Sequence, residues 1–123
     1  MKNFDIQSIR PFIGAKDYEL SRSFYRDLGF EEIVILPNLS YFHMGDFGFY
    51  LQDAYVKDWI DNSMVFMEVK ELQKHFEHVK SLQLDVKYQN VRLKEIVHNN
   101  WGNVFFIYDP SGILWQIGEF VKR

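Results

Sequence analysis

The sequence predicts an α+β fold made of two βαβββ modules, and three observations carry that expectation. Apolar residues recur at helical spacing twice, at Leu20, Phe24, Tyr25 and Leu28 and again at Leu72, Phe76, Val79 and Leu82. Each of these amphipathic stretches follows one short β-type run and precedes others. The two halves, about residues 6–53 and 63–120, repeat this order, and a period of about 50–60 residues reads as a duplicated supersecondary unit.

Residues Ile6 to Gly14 mix apolar and polar side chains around Pro11. They predict a first strand at an edge or a distortion, since proline brings no N–H to a ladder. Asp17 is a good helix N-cap, the helix runs from Tyr18 to Leu28, and Gly29 supplies its stop. Three β-type runs follow, Phe30 to Leu36, Tyr41 to Met44 and Phe47 to Gln52. They are separated by Pro37-Asn38-Leu39-Ser40 and by Gly45-Asp46, both rich in turn formers. Ala54 to Asn62 reads as a short helical linker. In the second half a strand is predicted from Ser63 to Val69, then the helix carrying Leu72 to Leu82, then a strand around Val86 to Tyr88. Val104 to Tyr108 and Ile113 to Phe120 are the strongest strands. Asp109-Pro110-Ser111-Gly112 joins them, with Pro at the second turn position and Gly at the fourth.

Composition narrows the function. The 123 residues fit a single domain, residues 1–123, with 47% hydrophobic and 25% charged side chains in the range of a globular protein. The net charge of -3, with Lys and Arg scattered, lacks the basic footprint that nucleic acid requires. It would suit a cationic small molecule better than a phosphonate, although as steering it is weak. Cysteine is absent, which removes disulfides, thiolate zinc sites and cysteine nucleophiles. No apolar run reaches a membrane span and the start has no signal-peptide core, so a cytoplasmic protein without membrane association is expected. Aromatics are in excess, with 12 Phe, 7 Tyr and 3 Trp, more than a core of this size needs, and some are expected to line a ligand site.

Two motifs resemble the vicinal oxygen chelate superfamily, which includes glyoxalase I, extradiol dioxygenases, and the fosfomycin and bleomycin resistance proteins. The first is Asp17-x-x-x-Ser21-x-x-Phe24-Tyr25-x-x-Leu28-Gly29-Phe30. The second is Trp101-Gly102 followed by Phe106-x-x-Asp109-Pro110-Ser111-Gly112-x-Leu114-x-Gln116. The resemblance covers about Ile6 to Phe120, and the Trp-Gly pair looks most like the bleomycin-resistance branch. It implies that the two modules curl into an open, eight-stranded, barrel-like sheet around a central cavity. It also implies a homodimer.

The resemblance implies a metal site too, built from His, His and Glu, but the matching positions here are Arg10, Met64 and Gln116, with Tyr50 near a fourth. Arginine has no lone pair to give, a thioether is soft and an amide is a weak neutral donor, so this set suits no hard divalent ion. No cofactor is expected. The expected function is therefore metal-independent binding of an aromatic or cationic drug-like ligand, as in antibiotic resistance by sequestration. The alternative is a lyase, isomerase or dioxygenase of the glyoxalase type with a displaced metal held by His43 or His98.

The candidate ligand-binding residues are Arg10, Tyr41, His43, Tyr50, Met64, Trp101, Phe106 and Gln116. Arg10 can clamp an oxyanion or carbonyl. Tyr41, His43 and Tyr50, on adjacent strands and flanked by Trp101 and Phe106, can form aromatic walls. A buried Gln116 amide needs partners and so can confer specificity, whereas a Met such as Met64 is more commonly an adaptable core filler. His75 and His78 and the helix charges, such as Arg22 and Arg26, read as a solvated surface.

Overall fold

The structure is a computed structural model and describes residues 5–121. Its elements run β1 (Phe12–Gly14), α1 (Tyr18–Leu28), β2 (Glu31–Leu36), β3 (Leu39–Met44), β4 (Phe47–Gln52), α2 (Lys57–Asp61), β5 (Met64–Glu68), α3 (Leu72–Ser81), α4 (Leu84–Lys87), β6 (Arg92–His98), β7 (Gly102–Tyr108) and β8 (Leu114–Phe120). The strands form two four-stranded sheets in the orders β1-β4-β3-β2 and β5-β8-β7-β6. In each, the first strand of the module pairs in parallel with the last, and the other pairs are antiparallel. The duplicated α+β architecture is as expected, and the sheets do not close on one another.

Helix α1 follows its sequence signals. The Asp17 carboxylate accepts from the Leu20 N–H, and Gly29, at φ 121°, takes the left-handed stop that a side chain would resist.

Three elements differ from expectation. The first strand shrinks to Phe12–Gly14, since Pro11 offers only its carbonyl, which accepts from Tyr50 N–H at 2.9 Å. Leu39 and Ser40 leave the turn and join β3, whose register with β4 runs on to Gln52. Residues 86–88 form no strand. Gln83 reverses the chain with a positive φ, and Leu84 and Tyr88, four apart and both buried, anchor the single helical turn α4 while Val86 stays exposed. The second strand of the second module is instead β6, hidden in the sequence by Arg92, Lys94, Glu95 and His98. It is an edge strand, where charge blunts unwanted pairing.

One core joins the modules. The Tyr25 ring lies 4.8 Å from Phe49, 5.8 Å from Phe42 and 5.7 Å from Trp115 between centroids, so the covered faces of both sheets meet on α1. Helix α3 covers the second sheet by setting Phe76 edge-on to Phe105, 5.1 Å away.

Polar groups inside this core are fully partnered around Asp109, which has no exposed surface. One of its carboxylate oxygens accepts from the N–H groups of Ser111, Gly112 and Ile113, and the other from Tyr25 OH at 2.6 Å. Tyr25 OH in turn accepts from Trp115 Nε1 at 2.9 Å. Ser111 Oγ accepts from the Lys16 N–H, so the turn between β7 and β8 is bolted to the start of α1.

The helix charges are not merely a solvated face. Arg22 and Arg26 both bond Glu32, whose side chain is 8% exposed and also accepts from Ser40 Oγ at 2.6 Å. His75 departs from expectation as well. It is half-buried with Nδ1 unpartnered among the described residues, and burial moves its pKa below the ordinary value.

Candidate ligand-binding site

Side-chain alternation leaves each sheet with one face under the helices and one face open. On the first sheet, Phe12 pairs with Tyr50, Tyr50 with Tyr41 and Tyr41 with Ile33, so these four form one row across the open face. On the second, the rows are Met64, Leu114, Tyr108, Arg92 and Phe66, Gln116, Phe106, Lys94. The open faces carry large apolar groups in contact with solvent, with Phe12 58%, Met64 63% and Phe66 42% exposed. Among the described residues no helix covers them.

The structure assembles the candidate residues into two groups. In the first, the Arg10 guanidinium lies 3.9 Å above the centroid of the Tyr41 ring and donates to Tyr50 OH at 3.0 Å. It acts as a lid on Tyr41, which is buried although it belongs to an open face. His43 stacks on the other flank of Tyr41, with centroids 5.3 Å apart and planes at 11°. Its Nδ1 meets Gly45 O at 3.1 Å and its Nε2 lies 3.6 Å from Glu31. Phe12 stacks against Tyr50 with centroids 4.9 Å apart.

The second group lies on the other sheet. Gln116 Nε2 donates to Met64 Sδ at 3.2 Å, with Phe106 beside Gln116 in register. Trp101, exposed at the entry to β7, joins Phe66 and Phe120 in a triangle of rings with centroids 5.5–6.4 Å apart. Among the described residues no direct ring contact links this group to the first. Phe120 was not foreseen as a site residue. Alternation from Gln116 through Gly118 places it on the open face, and that signal was present in the sequence.

The recurring metal positions can be tested on these contacts. Arg10 is seated on a ring as a cation with no lone pair to give, the Met64 sulfur is a soft donor that already accepts from Gln116 Nε2, and the Gln116 amide oxygen is a weak neutral ligand for a hard divalent ion. Among the described residues no three His, Asp or Glu side chains converge as a metal-binding group. His43 ends on β3 of one sheet. His98 ends β6 of the other, where its Nδ1 meets Asn103 Oδ1 at 2.8 Å. The residues present do not fit the family's divalent ion.

A duplicated βαβββ unit with one open, aromatic face per sheet defines the class. The chain belongs to the glyoxalase/bleomycin resistance protein/dioxygenase superfamily, whose sequence model matches residues 6–117. Among solved structures it is similar to a bleomycin-binding protein complexed with bleomycin, at 16% identity and TM-score 0.77, over 93% of this chain and 98% of that one. The bleomycin resistance determinant encoded on the transposon Tn5 is similar at 17% identity and TM-score 0.77, over 94% and 99%. Lactoylglutathione lyase from Agrobacterium tumefaciens is similar at 19% identity and TM-score 0.69, over 94% and 95%. At such identities the likeness concerns the fold alone. No curated protein matches the sequence. Among the described residues no helix is long and apolar enough to cross a membrane.

Proposed function

We propose that this is a metal-independent binding protein of the bleomycin-resistance type, which sequesters a planar, drug-like aromatic compound on its open sheet faces. The observation that carries the reading is the pairing of two exposed aromatic clusters with Arg10, Met64 and Gln116 at the positions where the family holds its ion. Sequestration needs affinity and no catalytic group. Each aromatic contact to a planar ligand adds about 0.5–1.5 kcal/mol beyond area burial, and the likeness to a protein complexed with bleomycin supports the same reading.

The proposal takes the whole chain as one cytoplasmic domain acting as a homodimer. A second copy laid over the open faces would enclose them and turn each half-site into a pocket.

Thermal-shift measurements on chelator-treated protein test this. A ligand at a hundred times its Kd stabilises by about 2.7 kcal/mol, which raises the Tm of a domain this size by several degrees. We expect such a shift from at least one of a panel of planar compounds that includes bleomycin, unchanged by added Zn, Ni or Mn. Stabilisation only with a stoichiometric divalent ion, together with turnover of a hemithioacetal or catechol, would overturn it.

A further inference from the structure

Resting on the binding function just proposed, we infer that the ligand is an anion, a planar aromatic compound bearing an oxyanion group that the Arg10 guanidinium receives. The charges on the open faces, rather than the net charge of the chain, carry this. Arg10 stands in line with the first sheet's open face, and the strand registers put Arg92 and Lys94 on that of the second. Among the described residues none of these three cations is ion-paired to a carboxylate, although the other ion pairs of the molecule are well formed. The carboxylates that alternation places on the same faces, Glu31 and Glu68, are both engaged already, Glu31 with His43.

Arg10 is also prepared for such a ligand. Stacking on Tyr41 and the bond to Tyr50 OH fix the plane of the guanidinium while using one of its donors. The remaining N–H groups suit the paired oxygens of a carboxylate or similar group. Phe12 and Tyr50, stacked beside it, offer the surface on which the ring attached to that group would lie.

The test uses three probes with one ring system: naphthalene-2-carboxylate, 2-naphthalenemethanol and 2-naphthylmethylammonium. Each is titrated into the full-length protein at low ionic strength and followed by tryptophan and tyrosine fluorescence. The carboxylate is expected to bind at least tenfold more tightly than either of the others. Arg10→Gln should remove that preference, read as the ratio of carboxylate to alcohol affinity, and Arg10→Lys should restore part of it. Arg10 is exposed, so both variants should keep the wild-type circular dichroism.

Equal affinities, or a preference for the ammonium probe, would overturn the anion inference and leave the aromatic-binding function standing. If no probe binds, both fall. If Arg10→Gln instead converts a dimer to a monomer with no change in ligand preference, Arg10 serves a carboxylate of a second copy and the inference is wrong.

Discussion

Asp109→Ala is expected to lower the unfolding free energy by about 3–5 kcal/mol, measured by urea denaturation at neutral pH. The substitution strands the N–H groups of Ser111 and Ile113 and the Tyr25 OH, while Gly112 N–H keeps its bond to Asp109 O; Ile113 and Tyr25 are buried, and an orphaned buried donor costs about 1–3 kcal/mol. It also removes the Tyr25–Asp109 link between α1 and the β7–β8 turn, leaving the bond from Lys16 N–H to Ser111 Oγ. Asp109→Asn should cost far less, because its carbonyl oxygen keeps the three backbone bonds.

The two variants also separate burial from charge. Burial pushes the Asp109 carboxyl up to about 6 against the hydrogen bonds from Tyr25 and the turn, which favour its ionised form. A carboxyl raised in the folded state favours the fold when protonated. That stabilisation is complete below the ordinary aspartate value and disappears as the pH rises through about 6. The advantage of wild type over Asp109→Asn should therefore shrink between pH 4 and pH 7. An advantage that grows over this range would contradict the assignment.

Glu32→Ala is expected to cost about 2–3 kcal/mol, a figure discounted because Arg26 is about half exposed. The change removes the common acceptor of Arg22, Arg26 and Ser40, and Ser40 is itself fully buried beneath Tyr18 OH. Burial acts to raise the Glu32 carboxyl, but the bonds from Arg22, Ser40 and Arg26 outweigh it and hold the group below the ordinary range. Here the sign is opposite to that of Asp109. The stabilisation is present above the ordinary glutamate value and lost as the pH falls through the depressed one. The loss in Glu32→Ala, read as a change in Tm, should be largest near neutrality and fade in acid.

The fold was largely legible because its signals were local. Asp17 and Gly29 bracket α1, the apolar period of 3.6 marks both long helices, and Asp109-Pro110-Ser111-Gly112 makes the turn its residues require, with Gly112 N–H bonded to Asp109 O at 3.0 Å. Strand β6 escaped because an edge strand shows little hydrophobic alternation, while the apolar run at Val86 mimicked a strand although its neighbours Leu84 and Tyr88 were set for a helical turn. The ion network around Glu32 escaped for a different reason. Its members lie 6 to 10 residues apart on different elements, so only the docking of α1 on the first sheet makes them a cluster.

Among the candidate site residues, those on adjacent strands were legible as groups, since register follows from the turns between them. Arg10, Tyr41, His43 and Tyr50 do come together, as do Met64, Gln116 and Phe106. How the two groups stand to one another depends on the packing of separate sheets, and no local pattern encodes that. Nor could the sequence show that Arg10 is seated on Tyr41 with most of its donors free.

A planar compound is proposed to bind on the open sheet faces without a metal. The most direct test is amide and side-chain chemical-shift mapping on isotope-labelled, chelator-treated protein as a planar aromatic ligand is added. We predict perturbations concentrated at Tyr41, Tyr50, Phe66, the Trp101 indole N–H and the Gln116 side-chain amide. Perturbations confined to α1 and α3, or appearing only after a divalent ion is supplied, would contradict it.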